Sequence, residues 1–337
     1  MLNQNIMKHH NNFDFLRFLF SFLVVVGHSM ILGNKEEYRI EFLAAMPNYS
    51  VFAFFVISGF LIYASFDKLL NLKKYFINRA KRILPAYFAV VIFFAFFLFF
   101  LSDADVSEYF SASWLKYLAV NLVFLNFFQP CIDYIFTENY MCAVNGALWT
   151  IKVEVMFYLM IPVLYYCIKR FSLKAKNIIL IVLYLLSVLY FNIMFSMGKE
   201  VLAKQLPGCL TYFTSGILLY LNLDFFRKHV WKFVIPALFI IILEKVVLHV
   251  TFLFPFALGT VIIAFAFSKV PLRNFAKYGD WSYGIYLVHF PVIQIFIQQG
   301  WYHQYGITGM LSSYIIVILA GIFIWNMIEK PFIRKKN

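Results

Sequence analysis

The sequence is poor in charged residues and in cysteine. Only 13% of its 337 residues are Asp, Glu, Lys or Arg, whereas about a quarter of the residues in a soluble domain are charged. Hydrophobic residues make up 63% of the chain and aromatic residues 21%, and the mean hydropathy is +0.79. This balance excludes a soluble enzyme, a disordered chain and a nucleic-acid-binding module, and it predicts a protein with several membrane-spanning helices. Four cysteines in a chain of this length do not make a disulfide framework.

Apolar runs separated by short charged segments predict an all-α fold, a polytopic membrane helix bundle with about ten transmembrane helices. No long linker or polar low-complexity tract interrupts them, so residues 1–337 are expected to form a single transmembrane domain with no separate soluble domain. The predicted spans are residues 15–32, 48–66, 86–101, 147–168, 178–197, 209–223, 233–250, 252–268, 281–299 and 308–328.

The basic residues predict how these helices are oriented. The segment 114–130 is apolar enough to span the membrane but contains three amide side chains. If it does not cross, most of the 29 Lys and Arg residues lie in cytoplasmic loops and both termini are cytoplasmic, as the positive-inside rule prefers. The segment is therefore expected to be interfacial or re-entrant at the outer face. The same outer loop holds Cys131 and Cys142, and the sequence leaves open whether they form a disulfide.

The first predicted span carries two ionisable side chains. Arg17 lies at its inner end, and His28 follows eleven residues later, about 16 Å along a helix. His28 is therefore expected well inside the membrane, whose hydrocarbon core is about 30 Å thick, or toward its outer face. An ionisable residue inside a span indicates function by default. A neutral imidazole can accept a proton from a hydroxyl group and return it, which is general-base chemistry. A histidine that only hydrogen-bonds a neighbouring helix is the alternative.

The fourth predicted span contains a carboxylate, Glu154, and an amine, Lys152. A carboxylate at this depth needs a partner, which is either His28 or a backbone donor. In the first case Glu154 would orient the imidazole and raise its basicity. In the second it belongs to a structural buried pair. Trp149 and Tyr158 of the same span suit an aromatic belt at the membrane interface.

Two arginines, Arg79 and Arg82, lie three residues apart and therefore on the same face of a helix. A pair of guanidinium groups suits phosphate recognition, and plain anchoring at the inner membrane face is the alternative. Glu329 lies at the inner end of the last predicted span, where it is expected to hold one of these arginines or Arg17 in place. A solvated helix end is the other reading.

Two further polar residues lie inside predicted spans. Ser58, beside Gly59, is expected to allow close packing of helices. A serine nucleophile is the alternative, which the absence of a surrounding G-x-S-x-G motif disfavours. His289 lies in the middle of the ninth span and precedes Pro291, which frees a backbone carbonyl. No Cys and His pair has metal-site spacing, so no metal is predicted.

Six sequence blocks in order resemble the acyltransferase-3 family of integral-membrane O-acyltransferases. The resemblance extends from about residue 13 to residue 332. In two positions the chain departs from the family pattern, with Val155 where a second acid is common and Lys152 where a small or apolar residue is common. The blocks are Arg-x10-His at Arg17 and His28, FFVISGFLI at 54–62, Arg-x-x-Arg before Leu-Pro at Arg79 and Arg82, LWT-x-x-VE at 148–154, SYGIYLVH-x-P at 282–291 and Glu-x-Pro at 329–331.

The resemblance implies a membrane enzyme that transfers an acyl group, commonly acetyl, from acetyl-CoA or another acyl-CoA to a hydroxyl group. The implied acceptor is a cell-envelope polysaccharide or a lipid-linked glycan, as in lipopolysaccharide modification, and the implied location is the inner (plasma) membrane. His28 then acts as base for direct attack or is itself acylated first, and both routes stay open. The expected site comprises His28 and Glu154 as catalytic residues, Arg17, Arg79 and Arg82 for the donor, Trp149, Tyr158 and His289 for the acceptor, and Ser58 and Glu329 in supporting roles.

Two functions of other classes remain as alternatives. A transporter or flippase of an envelope precursor predicts internal inverted repeats, and the sequence shows no repeat. A non-catalytic partner in envelope polymer assembly predicts that His28 is replaceable. The expected partners are the glycan acceptor and membrane lipids, with no nucleic acid, and the oligomeric state is left open.

Overall fold

A computed structural model describes residues 11–34, 37, 39–248, 250–270, 272 and 275–333. Over these residues the chain is helical and forms no β-strand, although an isolated bridge pairs Cys131 with Ala143. The prediction of an all-α fold is confirmed. The helices of ten or more residues are α1 Phe13–Gly33, α2 Glu41–Leu69, α3 Leu72–Phe97, α4 Ala112–Leu122, α5 Trp149–Ile168, α6 Leu173–Ser196, α7 Leu206–Leu221, α8 Val230–Ile242, α9 Phe254–Ala266, α10 Ser282–Gln298 and α11 Ile307–Ile324.

Six helical segments in the described part of the chain are long and apolar enough to cross a membrane, and the protein is accordingly a multi-pass membrane protein. They overlap six of the ten predicted spans. The segments are Phe13–Gly33, Met46–Leu69, Leu72–Leu101, Gly146–Ile168, Leu173–Ser196 and Ile307–Ile333.

The other four predicted spans fall on the shorter helices α7 to α10. These have 13 to 17 residues, which corresponds to about 20–26 Å, less than the roughly 30 Å of a hydrocarbon core. The count of ten spans and the cytoplasmic placement of both termini therefore stay predictions. Helix α4 has 11 residues, about 16 Å, and its length agrees with the prediction that the segment 114–130 does not cross.

The chain divides into two compact units, and most of the site lies in the second. Unit I comprises Met1–Arg17, Val51–Phe76 and Val153–Lys277, and unit II comprises Phe18–Ser50, Ile77–Lys152 and Tyr278–Asn337.

Unit I is held together by close backbone approach and by a buried cap. A Cβ atom added at Gly59 of α2 would lie 2.0 Å from the carbonyl oxygen of Phe213, and one added at Gly216 of α7 would lie 2.2 Å from that of Val56. These glycines let the two helices pack backbone to backbone, as small residues do in membrane bundles. Buried Glu244, to which the sequence assigns no role, accepts hydrogen bonds of 2.7–2.9 Å from three consecutive backbone N–H groups, residues 252–254, at the start of α9. A carboxylate there satisfies donors that a helix start leaves unpaired.

Unit II is organised around α10. The N-terminal end of this helix meets α3 through an ion pair between Arg82 and Asp280, and its middle meets α1 at His28. Its C-terminal end carries Gln294, which hydrogen-bonds the loop before α5. At 1.5 Å per residue, His289 lies about 10 Å along the helix from Ser282 and Gln294 about 18 Å. Helix α10 therefore sets the order and spacing of three polar regions.

Candidate active site

Two histidines from distant parts of the chain meet in unit II. Nδ1 of His28 on α1 lies 2.9 Å from Nε2 of His289 on α10. The rings are nearly parallel, with centroids 5.0 Å apart and planes 14° apart. His289 is fully buried, whereas His28 keeps partial exposure. The sequence places both residues within spans but assigns them to different tasks, and the structure brings them together.

His289 is itself held by the backbone of its own helix. Its Nδ1 lies 2.6 Å from the carbonyl oxygen of Tyr286, one turn earlier. A ring with hydrogen bonds on both nitrogens has its plane and its tilt fixed. The imidazole of His28 therefore rests on a partner that is itself held in place.

Pro291 explains why a side chain from outside α10 hydrogen-bonds the backbone of this helix. A proline has no N–H, so the carbonyl of the residue four positions earlier, Leu287, loses its helical donor. Asn145 supplies the replacement, because its Nδ2 donates to the Leu287 oxygen at 2.8 Å. The carbonyl that Pro291 frees is thus satisfied by a side chain from the segment before α5.

The same segment is attached to α10 at a further point. The hydroxyl of Tyr286 lies 2.6 Å from Oγ1 of Thr150 and donates to the carbonyl oxygen of Ala147 at 3.1 Å. The ring of Phe290 packs edge-on against His28, with centroids 5.5 Å apart. A Cβ at Gly146 would lie 2.7 Å from that phenylalanine ring, so a glycine lets the segment approach it. The segment 145–150 therefore forms one wall beside the histidine pair.

A disulfide closes the loop that leads into this wall. Cys131 and Cys142 are bridged, which answers the question that the sequence leaves open. Nε2 of Gln294 donates to the carbonyl oxygens of Met141 and Ala143 at 2.6 and 2.9 Å, and Asn139 donates to its Oε1 at 2.9 Å. Gln294 is fully buried, so the loop is anchored on the C-terminal part of α10.

The N-terminal end of α10 forms a cluster of charged residues. Arg82 pairs with Oδ2 of Asp280 at 2.5 Å, and the hydroxyl of Ser282 donates to Oδ1 of the same carboxylate at 2.5 Å. Glu329 is fully buried and interacts electrostatically with Arg82 and Asp280. Its carboxylate also faces the backbone N–H of Gly284. The indole nitrogen of Trp281 has no hydrogen-bond partner among the described residues.

This arginine–acid cluster contains one residue that the sequence singled out, Glu329, and one that it missed, Asp280. Glu329 is expected near Arg79 and Arg82 or Arg17, and it interacts with Arg82. Asp280 is not singled out by the sequence, although an acid directly before Trp281 and Ser282, in a loop otherwise rich in Lys and Arg, is a signal that could have found it. Arg79 lies one turn before Arg82 on α3.

The remaining predicted site residues lie at other places in the chain. Glu154 accepts a hydrogen bond from the hydroxyl of Ser58 at 2.8 Å, inside unit I. Arg17 pairs with Asp14 at 3.0 Å, one turn away on α1. The carbonyl of Tyr158 accepts from the hydroxyl of Tyr75 at 3.1 Å. The hydrogen-bond partner of His28 is thus His289, and the role of Glu154 as its orienter stays a prediction.

Trp149 begins α5 directly before Thr150. In the described part of the chain, no group of three or more His, Cys, Asp and Glu side chains is arranged to hold a metal ion.

Comparison with known proteins identifies relatives over almost the whole chain. The acyltransferase-3 family model, described as "Acyltransferase domain", matches residues 10–328. "Nodulation protein 10" of Rhizobium leguminosarum bv. viciae is 26% identical over 367 residues, which covers 99% of this chain and 96% of the relative. "O-acetyl transferase" of Shigella phage Sf6 is 26% identical over 349 residues, which covers 98% of each chain. No solved structure matches the chain.

Proposed function

The chain belongs to the acyltransferase-3 family of O-acetyltransferases, and from that premise we propose that it moves an acyl group, commonly acetyl, from cytosolic acyl-CoA to a hydroxyl of a cell-envelope glycan. A membrane O-acyltransferase is the activity that its relatives support. The donor, the glycan acceptor and the inner membrane as location are the proposal. The observation that carries it is the His28–His289 hydrogen bond at 2.9 Å, with His28 in the Arg-x10-His block.

His28 is the group suited to the proton chemistry. When the acceptor hydroxyl attacks the acyl carbon, a C–O bond forms and the C–S bond of the thioester breaks, so one proton must leave the hydroxyl and one must reach the departing sulfur. An imidazole can take the first and give the second. In the alternative route the same ring attacks first and is acylated. Both routes need a ring that is neutral, oriented and reachable.

The arginine–acid cluster fits the phosphate-bearing end of the donor. Arg79 and Arg82 provide two guanidinium groups on α3, and the indole N–H of Trp281 is a buried donor with no hydrogen-bond partner among the described residues. Acyl-CoA supplies the acyl group as an activated thioester. Asp280 and Glu329 lower the positive charge that an incoming phosphate would meet, so an anion must compete with Asp280 for Arg82.

The order of groups along α10 supports transfer across part of the membrane. The arginine–acid cluster lies at one end of this helix, the histidine pair near its middle and the disulfide-bonded loop near its other end. A disulfide is typical of an oxidising compartment, and a basic segment is typical of the cytoplasmic side. We therefore assign the donor to the cluster end and the acceptor to the loop end, and Trp149 keeps its proposed acceptor-binding role from the motif match. The motif match alone supports three further proposed roles: Glu154 orients His28, Arg17 binds the donor and Tyr158 binds the acceptor.

Mass spectrometry of envelope glycans from cells with and without the protein tests the function. Loss of the protein should remove a mass of one acyl unit, and His28→Ala should do the same at an unchanged level of protein in the membrane. His303→Ala, which removes an exposed histidine, is the matched control and should retain acylation. Unchanged acylation in His28→Ala would overturn the proposed function, in which His28 is the essential group. If the purified protein gives His28-dependent transfer only with a donor other than acyl-CoA, the donor assignment is wrong.

A further inference from the structure

We propose that His289 is a positioning residue that fixes the tautomer of His28, so that Nε2 of His28 is the atom that accepts the hydroxyl proton or attacks the acyl carbon. The inference rests on the proposed function, because it assigns the atom of His28 that performs the chemistry. It gives His289 a task different from the acceptor binding that the sequence suggests.

The first step is the hydrogen bond between His289 and its own helix. The carbonyl oxygen of Tyr286 can only accept, and Nδ1 of His289 lies 2.6 Å from it. The proton of a neutral His289 ring therefore lies on Nδ1. A neutral imidazole carries one N–H and one acceptor nitrogen, so Nε2 of His289 presents a lone pair.

The second step transmits this choice to His28. Nε2 of His289 faces Nδ1 of His28 at 2.9 Å. With an acceptor on one side, the proton in this hydrogen bond must come from His28, so Nδ1 of His28 is the protonated nitrogen. Nε2 of His28 is left with its lone pair. With two neutral rings, each of the two hydrogen bonds joins one donor to one acceptor, whereas an added charge on the buried His289 would be costly.

The third step is what the arrangement does as the reaction proceeds. When Nε2 of His28 takes a proton, the ring becomes a cation and its Nδ1–H donates more strongly to His289. The bond stabilises the protonated base. In the same way, the aspartate of a Ser-His-Asp triad holds its histidine in the correct tautomer and stabilises the imidazolium.

The segment 145–150 holds His289 in the position that its hydrogen bond to His28 requires. Asn145 satisfies the Leu287 carbonyl that Pro291 leaves without a donor, and Thr150 contacts the Tyr286 hydroxyl. Tyr286 supplies the carbonyl that orients His289. The LWT and SYGIYLVH-x-P blocks, which are distant in sequence, are thus joined by hydrogen bonds that hold the proton acceptor of His28.

The test uses imidazole ¹⁵N NMR of the full-length protein, labelled at histidine, together with acyl-transfer kinetics. His28 resonances are assigned by their loss in His28→Ala. In the wild type we expect His28 to be protonated at Nδ1 and bare at Nε2. A wild-type His28 protonated at Nε2 and bare at Nδ1 would overturn the inference without any further variant.

Two variants of His289 separate positioning from packing. His289→Leu removes the acceptor, and we expect the Nδ1–H preference of His28 to disappear and kcat to fall by about 100-fold or more, because a wrong tautomer costs up to about 10⁴-fold in a triad enzyme. His289→Gln keeps an acceptor oxygen near the Nε2 position, and we expect it to restore the Nδ1–H form and to bring kcat to within about tenfold of the wild type.

The outcomes distinguish this inference from the proposed function. If His28→Ala is inactive while His289→Leu keeps both the wild-type tautomer and the wild-type kcat, the inference is wrong and the function stands. If His28→Ala remains active, the proposed function fails, whatever the tautomer is. If His289→Leu does not reach the membrane, the wild-type spectrum and the His289→Gln rate decide.

Discussion

Two polar clusters lie along α10, and they differ in how completely their hydrogen bonds are satisfied. In the histidine pair, Nδ1 of His28 is hydrogen-bonded to Nε2 of His289, and Nδ1 of His289 is hydrogen-bonded to the carbonyl oxygen of Tyr286. In the arginine–acid cluster, the buried indole N–H of Trp281 has no hydrogen-bond partner among the described residues, and the buried carboxylate of Glu329 interacts with the like-charged Asp280 as well as with Arg82. An unmatched buried polar group costs about 1–3 kcal/mol.

This difference suits two different roles for the histidine pair and the arginine–acid cluster. A saturated network is rigid, which suits a base whose one nitrogen must point at a reacting atom. A cluster with unmatched donors and opposed charges can exchange partners, which suits a site where an anion arrives and departs. Local rules of polar satisfaction are broken most often at functional sites. The comparison therefore fits the proposal that the histidine pair performs the proton chemistry and the arginine–acid cluster binds the donor.

The strongest test of this separation removes both guanidinium groups. We expect Arg79→Ala with Arg82→Ala to raise the KM for acyl-CoA by more than tenfold, because each charge-assisted bond to a phosphate contributes about 1.5–3 kcal/mol. The ¹⁵N spectrum of His28 should stay unchanged. Lys81→Ala, an exposed neighbour on the same helix, is the matched control, and an equal rise in KM there would show that only general positive charge matters.

A second test breaks the saturated cluster. Asn145→Leu leaves the Leu287 carbonyl without its donor, and we expect a loss of about 1–3 kcal/mol in stability. Because the loss lies beside His289, we expect kcat to fall about tenfold with little change in the KM for acyl-CoA. Thermal unfolding and steady-state kinetics measure the two effects. If Asn145→Leu changes the KM for acyl-CoA and leaves kcat unchanged, Asn145 acts with the arginine–acid cluster in binding the donor.

The smallest effect is expected from the counter-charge. Asp280→Asn removes the carboxylate that pairs with Arg82, so an incoming phosphate no longer has to displace it. We expect the KM for acyl-CoA to fall about three- to tenfold, which corresponds to about 0.7–1.4 kcal/mol for a partly exposed ion pair. Glu41→Gln, which breaks the exposed Arg39 pair, is the control. A higher KM in Asp280→Asn would mean that Asp280 orients Arg82 rather than competing for it.

Several features of the site could be predicted because they depend on residue type and order. The Arg-x10-His block placed His28 correctly in a helix, and the Arg-x-x-Arg spacing placed both guanidinium groups one turn apart on α3. Pro291 signalled a free carbonyl. Asp280 was not singled out, because acidic residues are common at helix starts. Its partner, Arg82, lies 198 residues earlier in the chain, and only the structure shows that the two meet.

The sequence alone determined that this protein lies in a membrane and that it is helical. Hydropathy adds up over about 20 residues, so no contact needs to be known before a chain with 63% hydrophobic residues is assigned to a membrane and to helices. The number of helices long enough to cross is less certain from sequence, because apolar runs such as 233–250 do not reveal where a helix ends. Here α8 ends at Ile242, and its continuation caps the next helix through Glu244.

Tertiary structure alone decided which polar atoms meet. His28 and His289 are 261 residues apart in the chain, and their hydrogen bond requires two nitrogens to lie 2.9 Å from each other. Only the packing of α1 against α10 sets such a distance. The pairing of Cys131 with Cys142 and of Arg82 with Asp280 is of the same kind. Composition and spacing act along the chain, whereas a hydrogen bond acts over about 3 Å in space.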